Sequence, residues 1–148
     1  MTNIVTILPE ALRALQALDA CTSKGGVSPR TLRLVELRAS QINGCSVCVD
    51  MHSRSLLNEG ETNERLFAVA AWRDAPYFTD AERAALALAE AVTRLSDRAD
   101  PVPDEIWDEA ARYYDEPALA SLILAIANIN VWNRLNVSTR QVARSSWD

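Results

Sequence analysis

The sequence predicts an all-α protein, and three observations carry the prediction. Glycine is scarce, with four residues in 148. Apolar residues recur at helical spacing almost throughout. No alternating apolar and polar run bounded by turn residues reads as a strand. A chain of this length fits one domain over residues 1–148, and the polar linkers are too short to separate two. Such a domain buries roughly two-thirds of its unfolded surface and needs no metal or disulfide staple.

Taken in order, Leu8-Pro9-Glu10 opens a first helix with Leu12, Leu15 and Leu18 on one face. Lys24-Gly25-Gly26 is a loop. Ser28-Pro29 places a capping hydroxyl before a proline at the first helical position, and Leu32, Val35, Leu37 and Ile42 carry a second helix to Asn43. A third helix runs from about Cys45 to Asn58 and stops at Gly60. Thr62 or Asn63 caps a short fourth, which Asp74-Ala75-Pro76 breaks. Thr79-Asp80-Ala81-Glu82 has the form of a capping box and starts an alanine-rich fifth helix through Leu95. Asp100-Pro101-Val102-Pro103 is a linker before a sixth around Trp107. Asp115-Glu116-Pro117 starts a long seventh to about Leu135, and Asn136-Val137-Ser138 is read as the cap of a short last helix.

Net charge −5 argues against a nucleic-acid-binding surface. The N-terminus lacks a basic region followed by an apolar run, so it does not read as a signal peptide. The longest apolar run, 118–129, is interrupted by Ser121 and Asn128 and reads as a buried core helix, so no membrane span is expected.

The stretch INGCSVCVDMH, residues 42–52, concentrates the chemistry. It holds Cys45 and Cys48, two of three cysteines, and His52, the only histidine. On a helix these positions share one face, which sets a dithiol beside a base. Cys45 is expected in the first helical turn, where free N–H groups and the helix dipole favour a thiolate. Buried free cysteines often serve only as small apolar residues. A structural zinc usually takes four ligands, and Cys45, Cys48, His52 and Cys21 are the only cysteines and histidine available. A redox dithiol accounts for Cys45, Cys48 and His52 with nothing left over, and the reducing cytosol suits a pair that cycles. Cys21 is read as structural and expected to stay outside the disulfide. Glu36, on the preceding helix, is the second candidate base: an antiparallel helix pair would aim it at the dithiol, whereas Arg33 and Arg38 around it suit a solvated side chain. Asn130, Asn133 and Arg134 fall on neighbouring turns and either rigidify a core or line a site.

These segments, above all ELRASQINGCSVCVDMH, then GET, AAWRDAPYFTDAERAALALAEAVT and INVWNR, resemble the carboxymuconolactone decarboxylase superfamily in its alkylhydroperoxidase D-like branch. The resemblance covers most of the chain. It implies an all-helical subunit assembled as a homotrimer or homohexamer, with thiol peroxidase chemistry that uses no haem or flavin; no metal or other cofactor is expected. It implies a hydroperoxide substrate and a dithiol reductant whose identity the sequence does not name. It implies that Cys48 attacks the peroxide, that Cys45 resolves the sulfenic acid as a disulfide, and that His52 belongs to a proton relay. The studied peroxidases carry a histidine where this chain has Val47 and a relay glutamate where it has Arg33; Glu36, one helical turn later, is the candidate replacement. The decarboxylase that names the superfamily lacks the dithiol, so lactone decarboxylation is not expected. The competing readings are a thiol–disulfide oxidoreductase and a non-catalytic redox sensor whose disulfide alters its assembly.

Overall fold

The structure, a computed structural model, describes residues 2–143. Eight α-helices follow one another: α1 Ile4–Ile7, α2 Pro9–Thr22, α3 Pro29–Asn43, α4 Ser46–Asn58, α5 Asn63–Ala68, α6 Asp80–Thr93, α7 Asp104–Tyr113 and α8 Glu116–Ser138. Among the described residues there is no strand. The all-α expectation holds, and most helix starts lie where the local signals put them. Ser28 Oγ accepts from the Thr31 N–H at 3.1 Å, Thr62 caps α5, and Thr79 and Glu82 form both bonds of the capping box.

Two expectations about the ends are corrected. The short α1, capped by Asn3, precedes the helix that Leu8-Pro9 opens. Asn136-Val137-Ser138 does not cap a separate helix: α8 runs through it, and residues 141–143 are non-helical, with anything beyond them outside the described residues. That extra turn carries Asn136.

The core is arranged around α3 and α8. Leu32 and Val35 of α3 pack with Ala85, Leu88 and Ala89 of α6 and with Leu122, Ala125 and Ile126 of α8. Leu34 and Leu37 turn the other way, toward Leu56 of α4, Val69, Trp72 and Leu86. Ala39, farther along α3, meets Ile129 of α8 and both Cys45 and Cys48. A helix buried on this many sides needs small residues where backbones approach, and the alanines of α3, α6 and α8 supply them. The α6 carboxylate Glu90 ties the outer layer together: Arg38 Nε, Trp72 Nε1 and Arg73 Nη1 donate to it at 2.8, 2.9 and 2.6 Å. By length and composition alone α8 is long and apolar enough to cross a membrane. Here it is a core helix, with Leu122, Ala125 and Ile126 fully buried between α3 and α6.

Candidate active site

The turn between α3 and α4 builds the centre of the site. Gly44 takes φ 67°, a left-handed conformation that glycine adopts without a Cβ penalty. Its N–H, and that of Cys45, bond back to carbonyls at the end of α3. The chain reverses, and α4 lies along α3. Cys45 is not in the first turn of α4, as expected, but is its N-cap, with extended φ/ψ. Its Sγ accepts from the Cys48 N–H at 3.3 Å, the place a serine or aspartate oxygen usually takes. A cap points its side chain back over the first turn, which brings Cys45 onto Cys48. The two form a disulfide with Cα atoms 5.4 Å apart, within the span such a bond needs. Cys21 is free and exposed, so the expectation that it is structural is corrected. Its thiol donates to the Ala17 carbonyl of its own helix.

The two half-cystines are not equivalent. Both are almost fully buried, yet Cys48 and not Cys45 lines a cavity of about 410 Å³ between α2, α3, α4 and α8. Leu15, Val47, Met51, Ile129 and Trp132 supply apolar wall, and Arg33, Glu36, His52, Asn128 and Asn136 supply polar atoms.

The packing of α4 along α3 brings Glu36 to His52. Glu36 Oε2 stands 3.3 Å from His52 Nδ1, and Arg33 Nη1 donates to the same oxygen at 2.8 Å. Glu36 is therefore not solvated: it is 3% exposed, and Arg33 pairs with it. Burial raises the Glu36 carboxyl to about 7, against the opposing pull of Arg33. Burial also lowers His52 to about 4, and the Arg33 charge acts in the same direction, so the imidazole is neutral at pH 7. His52 Nε2, the ring nitrogen away from Glu36, is buried and has no hydrogen-bond partner among the described residues. Asn128 Oδ1 is a second unpartnered buried atom on the same cavity. Buried polar atoms are seldom left unsatisfied, so both are suited to meeting a bound molecule. Among the described residues no group of three or more His, Cys, Asp or Glu side chains is placed to hold a metal ion.

A ladder of asparagines ties α8 to the end of α3. Asn43, the last residue of α3, donates to Asn130 Oδ1 at 2.9 Å and to Asn133 Oδ1 at 2.8 Å. Asn133 in turn donates to Ser40 Oγ at 3.1 Å. Of the two roles open to Asn130 and Asn133, the rigidifying one is theirs: they pin the end of α3 just before the Gly44 turn. Arg134 donates to Asn130 within its own helix. Asn136, one turn farther, donates to Cys48 Sγ at 3.4 Å. Sequence reasoning missed this residue. Its spacing of three from Asn133 continues the same stripe, and that was the only signal available.

Residues 9–91 match the Carboxymuconolactone decarboxylase family. The uncharacterized protein YdfG of Bacillus subtilis strain 168 is 33% identical over 139 residues, covering 94% of this chain and 93% of that protein. A crystal structure from Agrobacterium tumefaciens, of a protein of unknown function described as a candidate antioxidant defence protein AhpD, superposes with a TM-score of 0.90 at 32% identity over 97% of both chains. The debrominase Bmp8 has the same fold, with a TM-score of 0.84 at 23% identity over 95% of this chain and 75% of its own. With its helical order, its dithiol turn and this match over more than half its length, the chain belongs to the carboxymuconolactone decarboxylase family and has the AhpD-like fold.

Proposed function

We propose that this protein is a thiol peroxidase that reduces hydroperoxides through the Cys45–Cys48 pair, without haem, flavin or metal. One observation carries the reading: the cysteine that lines the cavity, Cys48, shares it with a buried Glu36–His52 pair whose outer nitrogen is unpartnered. The description of the Agrobacterium relative as a candidate antioxidant protein supports it.

In the reduced protein, His52 Nε2 takes the proton of the Cys48 thiol while Glu36 holds the Nδ1 proton and stabilises the imidazolium. The Cys48 thiolate attacks the terminal oxygen of ROOH. The S–O bond forms, the O–O bond breaks, and the departing alkoxide takes the proton from His52 to leave as ROH. Cys48 is then a sulfenic acid. The Cys45 thiol attacks its sulfur, the disulfide forms and water leaves. The two electrons that reduced the peroxide come from the dithiol, and an external dithiol returns them by exchange. The cytosol, where thiols are kept reduced, suits this cycle.

Single-turnover oxidation of the reduced protein by hydrogen peroxide, an alkyl and an aryl hydroperoxide, followed by intact mass, tests the proposal. Wild type should lose two hydrogens. Cys45→Ser should gain one oxygen, on Cys48, and Cys48→Ser should not react. A reduced protein left unchanged by all three peroxides refutes the reading, and reaction of Cys48→Ser in place of Cys45→Ser reverses the two roles.

A further inference from the structure

The relay has no use for Asn136, yet its amide is held in one orientation against the sulfur of Cys48. The order of donors fixes that orientation. The Val5 N–H donates to Asn3 Oδ1 at 3.2 Å, which makes Oδ1 the acceptor end of the Asn3 amide. Asn3 Nδ2 then donates to Asn136 Oδ1 at 3.1 Å. With its oxygen engaged, Asn136 presents Nδ2 to Cys48 Sγ at 3.4 Å. A flipped Asn136 would set two NH₂ groups against each other and turn an oxygen on the sulfur. The chain of bonds therefore runs from the first turn of α1, across α8, to the dithiol.

A disulfide sulfur accepts weakly, whereas a thiolate accepts strongly. Asn136 is 6% exposed and Cys48 1%, so a charge on that sulfur has little bulk water around it and depends on the polar groups beside it. The Cys48 N–H, which could serve a nearby anion at the start of α4, is taken by Cys45 Sγ. The ionisable neighbours that line the cavity with Cys48 are Asp19 on α2, Arg33 and Glu36 on α3, and His52 on α4; α8 contributes no ionisable group there. Asn136 is the neutral donor that touches the sulfur.

We infer that Asn136 is a catalytic residue that stabilises the Cys48 thiolate by hydrogen bonding, and that Asn3 of α1 is its positioning residue. The inference rests on Cys48 being the attacking thiol. It also makes α1, a single turn at the edge of the fold, part of the reactive centre.

The test uses a full-length chain carrying Cys21→Ser and Cys45→Ser, so that Cys48 is the one thiol. The rate of alkylation by iodoacetamide against pH reports its ionisation. A hydrogen bond to a charged group is worth about tenfold or more in an equilibrium constant. Asn136→Ala should move the midpoint up by about one pH unit and slow alkylation at pH 7 about tenfold. Asn3→Ala, which frees the amide to turn, should shift it the same way by a smaller amount. Because α1 packs at the edge of the fold, Asn3→Ala remains readable if Asn136→Ala does not fold. Midpoints unchanged in the variants that fold overturn the inference. If Cys45 is the attacking thiol instead, Cys48→Ser keeps its reaction with peroxide while Asn136→Ala still shifts the Cys48 midpoint, so the two failures give different patterns.

Discussion

Replacing Glu36 by glutamine keeps the shape of the side chain and its bonds to Arg33 and His52 while removing its negative charge. Two effects follow from one burial. Glu36 is 3% exposed, and its carboxyl is raised from 4.5 to about 7. A group raised in this way contributes stability that is fully present below about pH 4.5 and is lost as pH rises through 7. At about 1.4 kcal/mol per pH unit, the ionised carboxylate costs the fold up to about 3 kcal/mol above pH 7. Glu36→Gln should therefore be more stable than wild type at pH 8 by as much as that, with the advantage vanishing near pH 4.5. The same ionisation is what the relay needs. An ionised Glu36 accepts the Nδ1 proton of His52 and leaves Nε2 free to take the thiol proton; a protonated one donates to Nδ1 and forces the proton onto Nε2. The wild-type rate of oxidation by peroxide should accordingly rise through about pH 7, and Glu36→Gln should lose the part of that rise due to Glu36 and run about 10²–10⁴-fold slower at pH 8. Urea unfolding of the disulfide form from pH 4 to 8 gives the first quantity, and stopped-flow oxidation of the reduced form gives the second. A variant that is no more stable at pH 8 than at pH 4.5 relative to wild type, or that oxidises at the wild-type rate, refutes the reasoning.

Gly44 sits at φ 67°, and a Cβ there would meet no atom within 4 Å, so Gly44→Ala isolates the backbone cost of the left-handed turn. It should lose about 1 kcal/mol in urea unfolding, with Gly44→Asn losing less, since asparagine tolerates this region; a neutral alanine variant would be against the turn's role. Assembly as a homotrimer or homohexamer should bury exposed apolar side chains such as Phe67, Leu57 and Leu95, and light scattering at micromolar concentration should give a mass of three or six subunits, a monomer mass being the contrary result.

What was legible in the sequence is what depends on residues three or four apart. Ser28-Pro29, the capping box of Thr79 and Glu82, and the Cys45–Cys48 pair are each closed within one helical turn, so their geometry follows from spacing alone. Even there the cap position was missed. Cys45 as N-cap and Cys45 in the first turn differ by one residue, and which occurs is set by where Gly44 ends α3.

The partners of the dithiol were decided elsewhere. Glu36 beside Arg33 and Arg38 reads equally well as a surface acid, and only the packing of α4 along α3 buries it against His52. The cavity that admits Cys48 and excludes Cys45 needs walls from four helices. Asn136 lies 88 residues from Cys48, and Asn3 lies 133 from Asn136. Contacts over such separations form only when whole helix faces are buried together, because the burial energy belongs to the face and not to any pair within it. The chain's own order thus determined the fold class and the reactive pair. The choice of which sulfur is open, and of which carboxylate and amide attend it, came with the closing of the core.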